Sequence, residues 1–182
     1  DGAVKGVICQ TKMGRQAIMG DIIIDTTGDC DVASSAGADF SQGQYIVTTV
    51  FRLANVDTDE AVRFEYAEPE EFARINREAR RIIGGAWEMW WLKTPIPGVV
   101  WCNCPHMPNY DGISVEDLTR AEYEGRKRMM GLYEYVRENM PGFENSNMLG
   151  AAEQIGVRTT RMLKGEYVVT KDDIVNRRYL SD

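Results

Sequence analysis

The run Ile22-Ile23-Ile24-Asp25-Thr26-Thr27-Gly28-Asp29-Cys30-Asp31 constrains this chain more than any other segment. Three β-branched apolar residues in a row, bounded by carboxylates, read as a strand buried on both faces. Thr26 to Asp29 breaks that strand. Asp31 to Ala36, ending at Gly37, reads as a short helix. A glycine after a buried strand lets another group approach the main chain closely. A helix start behind it presents N–H groups that favour an anion. The segment therefore reads either as a seat for the polar part of a nucleotide or as an ordinary β-to-α turn with Asp31 as N-cap. It is not the G-x-G-x-x-G dinucleotide fingerprint, and the chain contains none.

The remaining pattern gives a mixed α/β architecture. Residues 3–11 and 15–25 read as strands joined around Lys12-Met13-Gly14, and residues 45–53 as a strand rich in β-branched and aromatic types. Helices are expected over 58–66 and 69–83. Pro69 suits a first helical position, Glu70 and Glu71 suit the helix dipole, and Gly84-Gly85 ends the run. Val99 to Cys104 reads as a strand. A long helix starts at Ser114 and ends before Pro141-Gly142, with Leu118, Ala121, Met129, Leu132, Tyr133 and Val136 in one apolar stripe. Met148 to Glu153 and Tyr167 to Thr170 read as extended, and Lys171-Asp172-Asp173 as the start of a short helix. At the N-terminus Asp1-Gly2 is a hairpin turn pair with one arm missing, which reads as a fragment or processed subunit.

Composition narrows the function classes. Hydrophobic residues are 43% and charged residues 27% of the 182, a globular mix. No apolar run approaches the ~20 residues of a membrane span. With 21 basic and 28 acidic residues the net charge is −7, which disfavours general nucleic-acid binding. Cys9, Cys30, Cys102 and Cys104 do not form a disulfide framework, so a reducing, cytoplasmic setting is the expectation.

Three further groups carry possible chemistry. Arg158 and Arg161 lie three apart, on one side of a helix or on opposite faces of a strand. Arginine binds carboxylates through two parallel hydrogen bonds. On residue type alone the favoured reading is a solvated pair, or a salt bridge to Glu153 or Glu166. Cys102, Cys104 and His106 offer soft-metal ligands, but their spacing suits zinc poorly, and alternate cysteines of a strand read as core. His106, the chain's one histidine, reads as a loop residue. Trp87, Trp90, Trp91 and Trp101 form a cluster that suits a flat ligand, a core or a subunit contact.

Taken in order, these segments resemble the FAD-dependent oxidoreductases of the glutathione-reductase-like type. Gly20 to Ala33 resembles that family's strand, "D-A-T-G-D-G-D", helix segment. Phe51 to Asp57 is similar to its substrate-domain strand, and Asp117 to Glu122 with Gly125-Arg126 to its long helix. Gly156-Val157-Arg158-Thr159-Thr160-Arg161, continuing to Gly165-Glu166-Tyr167, resembles its "G-[IV]-R-x-x-R-x-x-x-G-E-Y" segment. Cys30 stands where the family commonly has glycine. The Gly-rich N-terminal unit and the C-terminal helix that complete the family's FAD site are missing from these residues.

The resemblance implies a segment of an FAD-dependent oxidoreductase that passes a hydride between an organic small-molecule substrate and flavin. Residues 1–44 would be part of the FAD-binding domain, 45–170 a substrate or cap domain, and 171–182 the return to the first. Thr27, Gly28 and Asp29 would lie near FAD, and Arg158 and Arg161 toward the substrate side of the flavin. No metal is expected. Missing parts of the same protein, or a partner chain, would complete the site, and a homo-oligomer is compatible. The competing reading is a non-catalytic module that docks on a separate flavin-binding chain.

Overall fold

The computed structural model describes residues 3–43, 46–84 and 91–179. Asp1-Gly2, Tyr45, Gly85, Trp87 and Trp90 therefore lie outside the described residues. The chain divides into two compact units, Asp1–Gly43 with Arg161–Asp182, and Gln44–Thr160.

The first unit opens with β1 (Gly6–Thr11) and β2 (Gly14–Met19), an antiparallel hairpin. Helix α1 (Asp31–Ser35) and strand β3 (Phe40–Gln42) follow.

The second unit holds β4 (Val47–Ala54), α2 (Thr58–Ala67), α3 (Pro69–Ile83), β5 (Trp91–Lys93), β6 (Val100–Met107), α4 (Val115–Asn139), β7 (Asn147–Ala151) and β8 (Gly156–Val157). Local chemistry sets the helix ends. The Asp57 side chain accepts the N–H groups of Asp59 and Glu60 at the start of α2. Pro69 opens α3, and Gly84 closes it in the left-handed conformation. The Ser114 hydroxyl accepts the Asp117 N–H and starts α4.

The five strands run in the order β5-β6-β4-β7, with β8 also on β4, and every pairing is antiparallel. Helices α3 and α4 pack on the same face. Phe51, Leu53, Val100, Cys102 and Cys104 from the sheet meet Ile75, Ala79 and Ile83 from α3 and Leu132 and Val136 from α4. Each such fully buried large side chain contributes about 1.5–3 kcal/mol. Trp91 packs edge-on against Phe143 with ring centroids 5.4 Å apart. The chain then re-enters the first unit with β9 (Arg161–Leu163), which pairs with β3, and α5 (Lys171–Val175). The expected boundary stood at residue 171. The compact unit takes the chain back at Arg161, because β9 finds its partner in β3.

One strand expectation is corrected. Strand β2 stops at Met19, and Ile22 to Ile24 belong to no strand. Ile22 is 83% and Ile24 79% exposed. A strand exists through its neighbour's hydrogen bonds, and among the described residues no strand pairs with 22–24. Every buried hydrophobic side chain among the described residues falls between Val47 and Ile155, so the first unit contributes none.

Candidate functional site

The Thr26–Asp31 turn is organised by the carboxylate of Asp25. Its Oδ1 accepts the Thr27 N–H at 3.0 Å and the Thr27 hydroxyl at 2.7 Å. Its Oδ2 accepts the Ala33 N–H at 2.9 Å. Thr27 Oγ1 in turn accepts the Asp31 N–H at 2.9 Å. The Ala33 N–H first, then the Thr27 hydroxyl, hold the Asp25 carboxyl below its ordinary range. Asp31 is thus not the N-cap expected from the sequence. It is the first helical residue, Cys30 occupies the cap position, and the capping carboxylate comes from Asp25. The start of α1 is already supplied with a negative charge from its own chain, so it is not an open anion seat.

What the turn leaves open is backbone. Gly28 has φ 89°, and a Cβ built there meets nothing within 4 Å. Thr27 and Gly28 are exposed and Asp29 is half-buried. Cys30 has φ 55° in the left-handed region, which explains why glycine suits this position.

Arg161 closes the turn from behind. Its Nη1 lies 2.6 Å from Asp31 Oδ1 and donates to the Asp29 carbonyl at 3.1 Å, while its own carbonyl faces Cys30 Sγ at 3.8 Å. The partner is Asp31, not Glu153 or Glu166. Arg158 belongs to the other unit, where it follows β8 and is exposed. The two arginines therefore do different things.

His106 is not the loop residue expected from the sequence. It sits inside β6, not in a loop, opposite Thr48 of β4, which is in turn opposite Gly156 of β8. His106 is 4% exposed. Burial first, and the Arg158 charge second, hold its imidazole below its ordinary pKa. The signal was the alternation along β6, obscured by Pro105. Cys102 and Cys104 lie in the core, where burial drives both thiols far up, so neither is a ready thiolate. No cluster of three metal-binding side chains occurs among the described residues.

Comparison with known proteins gives a match to the FAD dependent oxidoreductase family over residues 1–182. The chain belongs to that family. FAD is therefore its cofactor. No curated protein and no solved structure matches. The residues present fit the oxidoreductase's cofactor in one respect that geometry tests. Gly28 presents bare, left-handed main chain on an exposed turn where any side chain would fill the approach. Among the described residues no helix of the oxidoreductase is long and apolar enough to cross a membrane.

Proposed function

We propose that this chain supplies the FAD-facing turn and the substrate-binding sheet of an oxidoreductase that passes a hydride between an organic small molecule and flavin. Flavin brings the hydride-accepting chemistry when bound. The residues of this chain position and charge the site. Thr27, Gly28 and Asp29 form the cofactor contact, with Gly28 admitting the ligand to the backbone. Asp25 fixes the turn through its hydrogen bonds to Thr27 and Ala33. Arg161 keeps the turn closed through Asp31 and the Asp29 carbonyl. Arg158, exposed at the end of β8, anchors the substrate.

The observation that carries this reading is the open space over Gly28. The exposure of Ile22 and Ile24 beside that turn supports a second part of it. The rest of an FAD-binding domain, in the same polypeptide or a partner chain, covers these side chains. A reducing, cytoplasmic setting fits the free cysteines. The test is anaerobic mixing of the flavin-loaded enzyme with candidate reductants. Bleaching of the flavin absorbance with kinetic isotope sensitivity at the donor carbon supports hydride transfer. A flavin-loaded protein whose absorbance no organic donor bleaches favours the docking module.

A further inference from the structure

We infer that the groove between α2, α3 and β5 binds an aromatic monocarboxylate, with Arg77 as its anchor. Every wall residue among the described residues belongs to the second unit.

The sequence of α3 sets up the groove. Ile75, Ala79 and Ile83 take its core-facing positions. Phe72, Asn76 and Arg80, each four apart, form the neighbouring stripe, with Arg77 beside them. That stripe lines a cavity of about 660 Å³ together with Glu65 of α2 and with Trp91, Leu92 and Lys93 of β5. Small-molecule sites occupy roughly 300–1,000 Å³. Two aromatic rings of the wall are fixed from behind. Phe72 stands edge-on to Phe64 with centroids 6.3 Å apart, and Trp91 stands edge-on to Phe143. Rings held in this way form an apolar surface in advance, so little ordering is needed when a flat group packs on them.

Charge fixes the polar end of the ligand. Arg74 is held by Glu71 at 2.7 Å and Arg81 by Glu78 at 2.6 Å, each partner three residues earlier. Arg77 breaks that pattern. Its neighbours three and four positions away are Ala73, Arg74, Arg80 and Arg81. The helix therefore gives it no carboxylate within reach and surrounds it with like charge. Among the described residues no hydrogen bond or ion pair holds Arg77. Lys93 is held by Asp59 at 3.0 Å, and Asn76, Arg80 and Trp91 have partners of their own. Glu65 is the one carboxylate among the described wall residues, and it makes no ion pair with Arg77. A guanidinium without a carboxylate, beside an apolar slot, is satisfied by a ligand carboxylate. A second anionic group would be repelled by Glu65, so the ligand carries one.

The test is isothermal titration calorimetry on the full-length, flavin-loaded protein. The probes are 3-phenylpropionate, its neutral amide, phenethylamine and acetate. 3-Phenylpropionate should bind, the amide and the amine at least roughly tenfold more weakly, and acetate not measurably. Arg77→Gln, at an exposed helical position, should weaken 3-phenylpropionate at least roughly tenfold. Arg74→Gln, one turn earlier and outside the wall, should change it less than about twofold. Absence of binding by 3-phenylpropionate, equal affinity for its amide, or an Arg77→Gln protein that binds it as the parent does overturns the inference. An equal loss in Arg74→Gln overturns it too, because the general charge of the helix would then be the cause.

Discussion

The guanidinium of Arg161 bridges two points of one turn, the Asp31 carboxylate at 2.6 Å and the Asp29 carbonyl at 3.1 Å. Arg158, three residues earlier, lies in a separate compact unit. Their substitutions should therefore separate. Arg161→Ala should weaken FAD binding roughly tenfold, the size of one lost charge-assisted bond, with substrate KM unchanged at saturating flavin. Arg158→Ala should raise KM at least as much and leave the FAD Kd alone. Equal effects of both on KM would contradict the assignment.

Cys30 occupies a left-handed position with φ 55°. Cys30→Gly relieves about 1–2 kcal/mol of backbone cost and gives back roughly half through chain entropy. Stability by urea denaturation should stay level or rise slightly. Cys30→Val, β-branched in the same conformation, should lose stability and FAD together. A valine tolerated there would mean that the turn is not held as described.

In the second unit Gly125 of α4 touches β4. A Cβ there would come 2.1 Å from the Oγ1 of Thr49, a buried hydroxyl with no hydrogen-bond partner among the described residues. Gly125→Ala should cost about 1–3 kcal/mol by overpacking. Thr49→Ala in the same protein should recover part of that loss. Thr49→Val alone, which removes an unsatisfied polar atom, should stabilise by about 1 kcal/mol. Urea midpoints for the four proteins decide each point.

Acid should loosen the first unit through Asp173. Its carboxylate accepts the Thr170 hydroxyl at 2.6 Å, the Tyr167 hydroxyl at 2.5 Å and the Thr170 N–H at 2.7 Å. The Thr170 hydroxyl, then Tyr167, lower its pKa from 3.8 to about 2. A depressed carboxylate contributes stability that is present above its unfolded pKa and is lost as pH falls through the folded one. The loss should fall between about pH 4 and pH 2, and Asp173→Asn should flatten it. An unchanged acid profile in Asp173→Asn would assign the loss to other groups.

The sequence was readable where local chemistry decides the outcome. Asp57, Pro69 and Ser114 mark helix starts whose side chains or ring geometry act within a few residues. It was unreadable where a distant partner decides. Strand β9 exists because β3, some 120 positions earlier, lies opposite it. Ile22 to Ile24 have the composition of a buried strand, yet they pair with nothing among the described residues. Pro105 cannot donate a ladder hydrogen bond, so it reads as a strand end. β6 runs through it because the register shifts against β4 between Thr48 and Val50, and His106 was hidden as a result. At the candidate site the turn residues were legible as a group. The capping role of Asp25 was not, because it acts across eight positions.

The central claim is that FAD approaches the bare backbone of Gly28, and a fluorescence titration of FAD into the flavin-free full-length parent and Gly28→Val proteins tests it most directly. The account predicts an FAD Kd raised at least roughly tenfold, beyond what the matched urea midpoints of the two apoproteins explain. A valine protein that binds FAD as tightly as its parent would contradict it.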